Sequence, residues 1–202
     1  MRSTFHIVSA VMLVLILGLA FGSGCQAQSA PAPGQTAQGA QDMSIEVTSK
    51  AFQNNQPIPK KYSGEGTDVS PPLEWSGLPA GTQELALICD DPDAPTPEPW
   101  VHWVIYKIPA EAKGLPEAVP PEPRPAAPAG ALQGKNSWPS GRTIGYRGPM
   151  PPPGHGTHHY HFTVYALSAK LDLAPDAEKR ELLGRMEGKI LGKGRLTGLF
   201  QR

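Results

Sequence analysis

The chain is short of cysteine, of net charge and of long apolar runs. Only two of its 202 residues are cysteine, Cys25 and Cys89, so a disulfide-stapled scaffold is excluded. Lysine plus arginine and aspartate plus glutamate stand at 18 each, which leaves no electrostatic footprint for nucleic acid or for an anionic membrane surface. The apolar run from Ile7 to Phe21 is too short for a comfortable bilayer span. No Gly-x-Ser-x-Gly elbow is present, and neither His102 nor His158 has a serine or cysteine partner evident in sequence. No internal repeat is found. What is abundant is proline, 24 residues, which argues against a helical bundle and for a loop-rich, mainly β architecture.

The first residues read as export machinery. Arg2 is the only formally charged side chain before Asp42, and the apolar run behind it ends in Gly22-Ser23-Gly24-Cys25. That pattern resembles a signal peptide over residues 1–25 with a lipoprotein-type processing site at Cys25, although Gly22 departs from the usual leucine-like residue. Lipidation of Cys25 is therefore expected, anchoring the protein to a membrane of the cell envelope; cleavage to a soluble periplasmic or secreted form is the rival. Gln26 rather than aspartate after the cysteine suits an outer-membrane destination where the host has an outer membrane. Residues 26–42, rich in Ala, Gln, Pro, Gly and Ser, form a flexible linker to a domain at 43–202. Cys89 is then the one thiol of the mature domain. It sits in the apolar run Leu85–Cys89 and is expected to pack as a small hydrophobe.

Within the domain, strands are expected at Ser44–Ser49, in short extended pieces over Ile58–Gly66 and Ser70–Trp75, and at Thr82–Asp90, Val101–Ile108 and His158–Ser168. Thr82–Asp90 has no polar face and suits a central strand. Leu115–Gln133 is a Pro/Ala-rich excursion read as a mobile loop. Leu182, Leu183, Met186 and Ile190 fall near helical spacing, predicting a helix over Ala174–Leu191 capped by Asp172 or Asp176. A short strand at Arg195–Arg202 closes the chain.

Three constellations carry chemistry. Asp91-Pro92-Asp93-Ala94-Pro95 follows the apolar strand; proline holds the residues before it extended, although Asp and Pro together also make an ordinary turn. Strand alternation puts His102, Val104 and Tyr106 on one face, with Val101, Trp103 and Ile105 on the other. His102 gains interest only if the Asp91 carboxylate is in reach. Finally, Gly148-Pro149-Met150-Pro151-Pro152-Pro153-Gly154-His155-Gly156 runs into a strand on which His158, Tyr160 and Phe162 share one face and His159, His161 and Thr163 the other. His158 with Tyr160 suits a phosphate or carboxylate. His159-x-His161 has metal-ligand spacing, and His155 or an acidic residue could supply the third ligand that a metal needs.

These three motifs, in this order, resemble the signature of the phosphatidylethanolamine-binding protein family, and within it the bacterial Raf-kinase-inhibitor-like branch. The resemblance covers about Met43 to Arg202, including Gln133-Gly134-Lys135-Asn136. It implies a mainly β fold with a large central antiparallel sheet, a second smaller sheet, a C-terminal helix and an anion pocket at one end. Residue by residue, it implies a pocket carboxylate at Asp91 with Asp93 beside it, pocket imidazoles at His102 and His158, the hydroxyl of Tyr160, and a mouth lined by Pro95, Gly148 and Pro149. His159 and His161 fall outside it, which lowers the metal reading. Met150 stands where cysteine is common in the bacterial branch. The expectation is a non-catalytic binding protein for a small anionic or phosphorylated ligand, with no cofactor and no metal. Inhibition of a partner protease or kinase is the alternative, and a metal-dependent or acid–base hydrolase ranks below both.

Overall fold

A computed structural model describes residues 45–202. The expected signal peptide, its processing site at Cys25 and the expected linker lie outside the described residues. The domain is built from nine strands: β1 (Glu46–Thr48), β2 (Gln56–Pro57), β3 (Leu73–Ser76), β4 (Glu84–Asp91), β5 (Trp100–Pro109), β6 (Gly114–Leu115), β7 (Leu132–Gln133), β8 (His158–Leu167) and β9 (Ile190–Phe200). One α-helix, α1 (Lys179–Met186), precedes the last strand. The strands form a six-stranded sheet in the order β2-β9-β8-β4-β5-β7 and a three-stranded sheet β1-β3-β6. All pairings are antiparallel except that of β2 with β9.

Two cores flank the large sheet. Between the sheets, Val47, Leu73 and Trp75 of the small one meet Leu87, Cys89, Trp103, Phe162 and Val164 of the large one. On the opposite face, Ala86, Ile88, Val104, Tyr106 and Leu167 are covered by Leu171, Leu173 and by Leu182 and Met186 of the helix. Strand β4 is thus packed on both faces, which is why its sequence shows no polar side. Cys89 is fully buried and free, and burial raises its thiol pKa well above normal, as expected of an inert core cysteine.

Several local expectations are corrected. Ile58–Gly66 is not extended: Pro59 leads into a 3-10 turn at Lys60–Tyr62, closed by Tyr62 N–H to the Pro59 carbonyl and Ser63 N–H to the Lys60 carbonyl. The helix is half the predicted length. Asp176 already has a positive φ of 71°, and Gly188, also at φ 71°, ends the helical path and frees Ile190 to pair with Leu167. Neither Asp172 nor Asp176 caps it; Glu178 occupies the N-cap without a side-chain hydrogen bond. The last strand starts at Ile190, not Arg195, and pairs with β8 along its whole length. Gly192, Gly194 and Gly198 hid it by interrupting the apolar pattern.

The Pro/Ala-rich excursion is tied at both ends and in its middle. Leu115, Val119, Ala131, Leu132 and Gln133 are buried. The Ser70 side chain accepts from Val119 N–H at 2.9 Å. Gln133 bridges the excursion to the core, donating to the Pro120 and Glu122 carbonyls, each at 2.7 Å, and accepting from Trp103 Nε1 at 2.7 Å.

The β5 register corrects the expected faces. Cys89 pairs with Trp103 but Asp90 pairs with Val101, so β5 carries one extra residue at His102. Such a bulge re-aims a side chain and shifts the alternation. Trp103 and Ile105 stay in the inter-sheet core while Val101 joins Val104 and Tyr106 on the opposite face. His102 accordingly turns toward Tyr160, on the side of Trp103, and away from Val104 and Tyr106.

Candidate functional site

The C-terminal end of β4 and the N-terminal ends of β5 and β8 meet at one end of the large sheet. Asp90 pairs with His161 of β8, and Asp91 with Trp100 of β5. That meeting point brings Asp91, His102, His158 and Tyr160 to the floor of a cavity of about 250 Å³. Its walls are Trp100 and Trp138, and its mouth is Ala94, Pro95 and Thr96 on one side and Met150, Pro151 and Pro152 on the other. A larger groove of about 1030 Å³ runs between α1 and the 135–139 segment. Its lysines Lys135 and Lys179 are paired with Glu178 (3.6 Å) and Asp90 (2.5 Å). The smaller cavity alone gathers buried ionisable groups.

Asp91 and His158 form a buried pair, with Oδ2 and Nδ1 2.7 Å apart and side chains 4% and 1% exposed. The other Asp91 oxygen accepts the Asp93 backbone N–H at 2.9 Å, so the Asp-Pro-Asp turn fixes the carboxylate in place. The far nitrogen of His158, Nε2, lies 2.8 Å from Nδ1 of His155, an exposed residue between Gly154 and Gly156. Asp91, His158 and His155 therefore form a chain from the core to the surface.

His102 is held differently. Its Nδ1 lies 2.6 Å from the Arg147 carbonyl oxygen, and Arg147 N–H donates back to the His102 carbonyl at 3.0 Å. Burial dominates its titration and lowers its pKa to about 4, against the pull of Asp91, Asp68 and Asp90. The ring packs edge-on against Tyr160 and Trp138, both with centroids 5.0 Å away. The Tyr160 hydroxyl is buried with no partner at hydrogen-bond geometry, although the Asp91 carboxylate is near enough to act on it; burial first, then Asp91, hold its proton on.

Asp93, Gly148 and Pro149 do not line the cavity. The Asp93 carboxylate accepts from His159, from the backbone N–H at 2.8 Å and from Nδ1 at 2.7 Å. Partial burial opposes its ionisation, but these bonds outweigh it and keep its pKa below the ordinary value. Gly148 stands behind the rim, its N–H bonded to Asp68 Oδ1 at 2.6 Å, where an added Cβ would lie 2.1 Å from the Tyr62 carbonyl oxygen. Pro149 accepts from Gly64 N–H, so the pair brace the proline loop from outside. Asp91 reaches His158 rather than His102.

Sequence reasoning weighed His155 only as a metal ligand and passed over Trp100, Trp138 and Thr96. The flanking glycines of His155 were its one signal. Among the described residues, no group of three or more His, Cys, Asp or Glu side chains is arranged to hold a metal ion. His155 is turned to His158 and His159 to Asp93, while His161 is half-buried, its pKa lowered by burial and by Arg195.

The two-sheet fold has counterparts among known proteins. The sequence profile of the phosphatidylethanolamine-binding protein family matches residues 48–201, and the chain belongs to that family. A UPF0098 protein of Methanothermobacter thermautotrophicus is 48% identical over 158 residues, covering 78% of this chain and 99% of its own. A Mycobacterium tuberculosis protein named as a candidate lipoprotein, LppC, is 35% identical over 212 residues, covering 100% of both chains. In three dimensions the chain is similar to E. coli YbcL, described as a member of the mammalian PEBP family: TM-score 0.72, 30% identity, 79% of this chain and 99% of that one. None of these names assigns an enzymatic activity. No helix among the described residues is long and apolar enough to cross a membrane.

Proposed function

We propose that the protein is an exported, lipid-anchored binding protein whose cavity holds a small anionic, phosphate-type group without chemically altering it. One observation carries the reading: the Tyr160 hydroxyl is buried and unpartnered on the cavity floor, beside the Asp91–His158 pair. An unsatisfied buried hydroxyl costs free energy, about 1–3 kcal/mol, that a ligand oxygen relieves. His158, held between Asp91 and His155, lines the floor beside Tyr160. Trp100, Trp138 and the prolines of the rim line the rest of the cavity.

The absence of turnover rests on the lining. It includes no serine and no cysteine, and its one aliphatic hydroxyl, Thr96, is bonded to the Glu98 carbonyl at 2.7 Å. Tyr160 keeps its proton and so is no nucleophile at neutral pH. Titrating the protein with inorganic phosphate is expected to move the imidazole NMR resonances of His102 and His158 and leave phosphate unchanged. Unmoved resonances would sink the reading. The anchor is tested separately: Cys25→Ser is expected to release the protein from the membrane fraction. An unchanged distribution would remove the lipid from the proposal.

A further inference from the structure

Resting on the reading of the cavity as an oxyanion site, we infer that it selects an oxyanion that still carries a proton, such as hydrogenphosphate, and that His102 makes the selection. A carbonyl oxygen only accepts, so the 2.6 Å contact with Arg147 places a proton on Nδ1 of His102. In the neutral ring Nε2 is then a bare lone pair. The ring is neutral because it is 3% exposed and burial keeps it uncharged near neutral pH. Nε2 has no partner in the protein, and His102 lines the cavity. The floor therefore offers an acceptor at His102 beside a hydroxyl at Tyr160, and the two rings stand 5.0 Å apart.

A ligand bearing P–O–H satisfies both. Its hydroxyl donates to Nε2 while another of its oxygens accepts from Tyr160 O–H. Sulfate, of nearly the same size and shape, sets oxygen lone pairs against the Nε2 lone pair. The lining also contains no lysine or arginine, and its buried carboxylate, Asp91, is already taken up by His158 and the Asp93 backbone N–H. Each full negative charge on the ligand meets little compensation, which again favours the protonated species. A site built around a ligand hydroxyl rejects the analogue that lacks it by large factors, because its own polar group is left unpaired.

The test is calorimetric titration of the purified protein with sodium phosphate and with sodium sulfate at matched ionic strength and neutral pH, where phosphate keeps a proton and sulfate has none. Phosphate is expected to bind on the order of 100-fold more tightly than sulfate. Equal affinities overturn the inference but leave the oxyanion site standing, whereas binding of neither anion removes the oxyanion site itself. Methylammonium serves as a donor without an oxyanion; binding of it in place of phosphate overturns the inference too. The tautomer is read independently from the ring ¹⁵N shifts of His102. Protonated Nδ1 with bare Nε2 is expected, and the reverse tautomer contradicts the argument. In His102→Gln the side-chain amide can turn its NH₂ inward, and the preference for phosphate is expected to fall to a few-fold.

Discussion

Acidification from pH 6.5 to about pH 4 is expected to cost the folded protein about 3 kcal/mol through His102 alone. The unfolded chain takes a proton on this imidazole below its ordinary pKa of 6.5, whereas the buried ring resists until about 4. In that window the unfolded state binds more protons, so stability rises with pH; above and below it the contribution is flat. The cause is burial, and the Arg147 carbonyl and the Asp91, Asp68 and Asp90 charges soften it without cancelling it. Asp93, whose carboxyl pKa lies below its ordinary value, adds a smaller loss at still lower pH, since its side chain is 41% exposed. Urea unfolding at stepped pH, on the native protein and on His102→Gln, isolates the histidine. The variant's stability is expected to vary much less across the window; an equally steep dependence in both would assign the loss elsewhere.

The second large effect belongs to Gln133→Leu. Leucine fills similar space, but Trp103 Nε1 loses its acceptor, the Glu122 carbonyl loses its donor and the Pro120 carbonyl keeps only that of Glu122 N–H, at a residue with no exposed surface. Buried polar groups left unpaired cost about 1–3 kcal/mol each, so a loss of about 3 kcal/mol is expected, with the carbonyls partly rescued by water. The change should also release the excursion between β6 and β7 before it unfolds the rest. Limited digestion with a broad-specificity protease is expected to cut the variant within residues 116–131 while the native protein resists. A variant as stable and as resistant as the native protein would show that the Gln133 bridge holds nothing.

How much of this was legible in the chain differs by residue. The strand β4 was readable because packing on both faces leaves a continuous apolar run, and β8 because alternation persists from His158 into the core. The polarity of the site end was also readable: Asp91, His102, His158 and Tyr160 do meet. The face of His102 was not, since a bulge is set by the register of β5 against β4 and leaves no mark on local alternation. The helix was overcalled because Leu183, 37% exposed, and Ile190 fit a helical period although the backbone at Asp176 and Gly188 forbids it. His155 was weighed only as a metal ligand because its partner, His158, is reached by a loop reversal between two glycines. Asp93 was expected beside Asp91 in the pocket, yet Asp91 reaches inward to His158 and Asp93 outward to His159.

The pairing of β4 with β8 also sets when the site comes into being. Asp91 and His158 are 67 positions apart along the chain, yet lie together only after Asp90 has found His161 across the sheet. Closing so long a loop carries an entropic cost that is recovered only late, and such nonlocal topologies fold slowly. A partly folded chain with the β8–β9 hairpin formed but β4 undocked has no carboxylate for His158 and so no cavity floor. A ligand that binds here therefore recognises the finished sheet alone. Its effect on the protein is to draw the equilibrium toward the native state in proportion to its concentration, without speeding the search that reaches it.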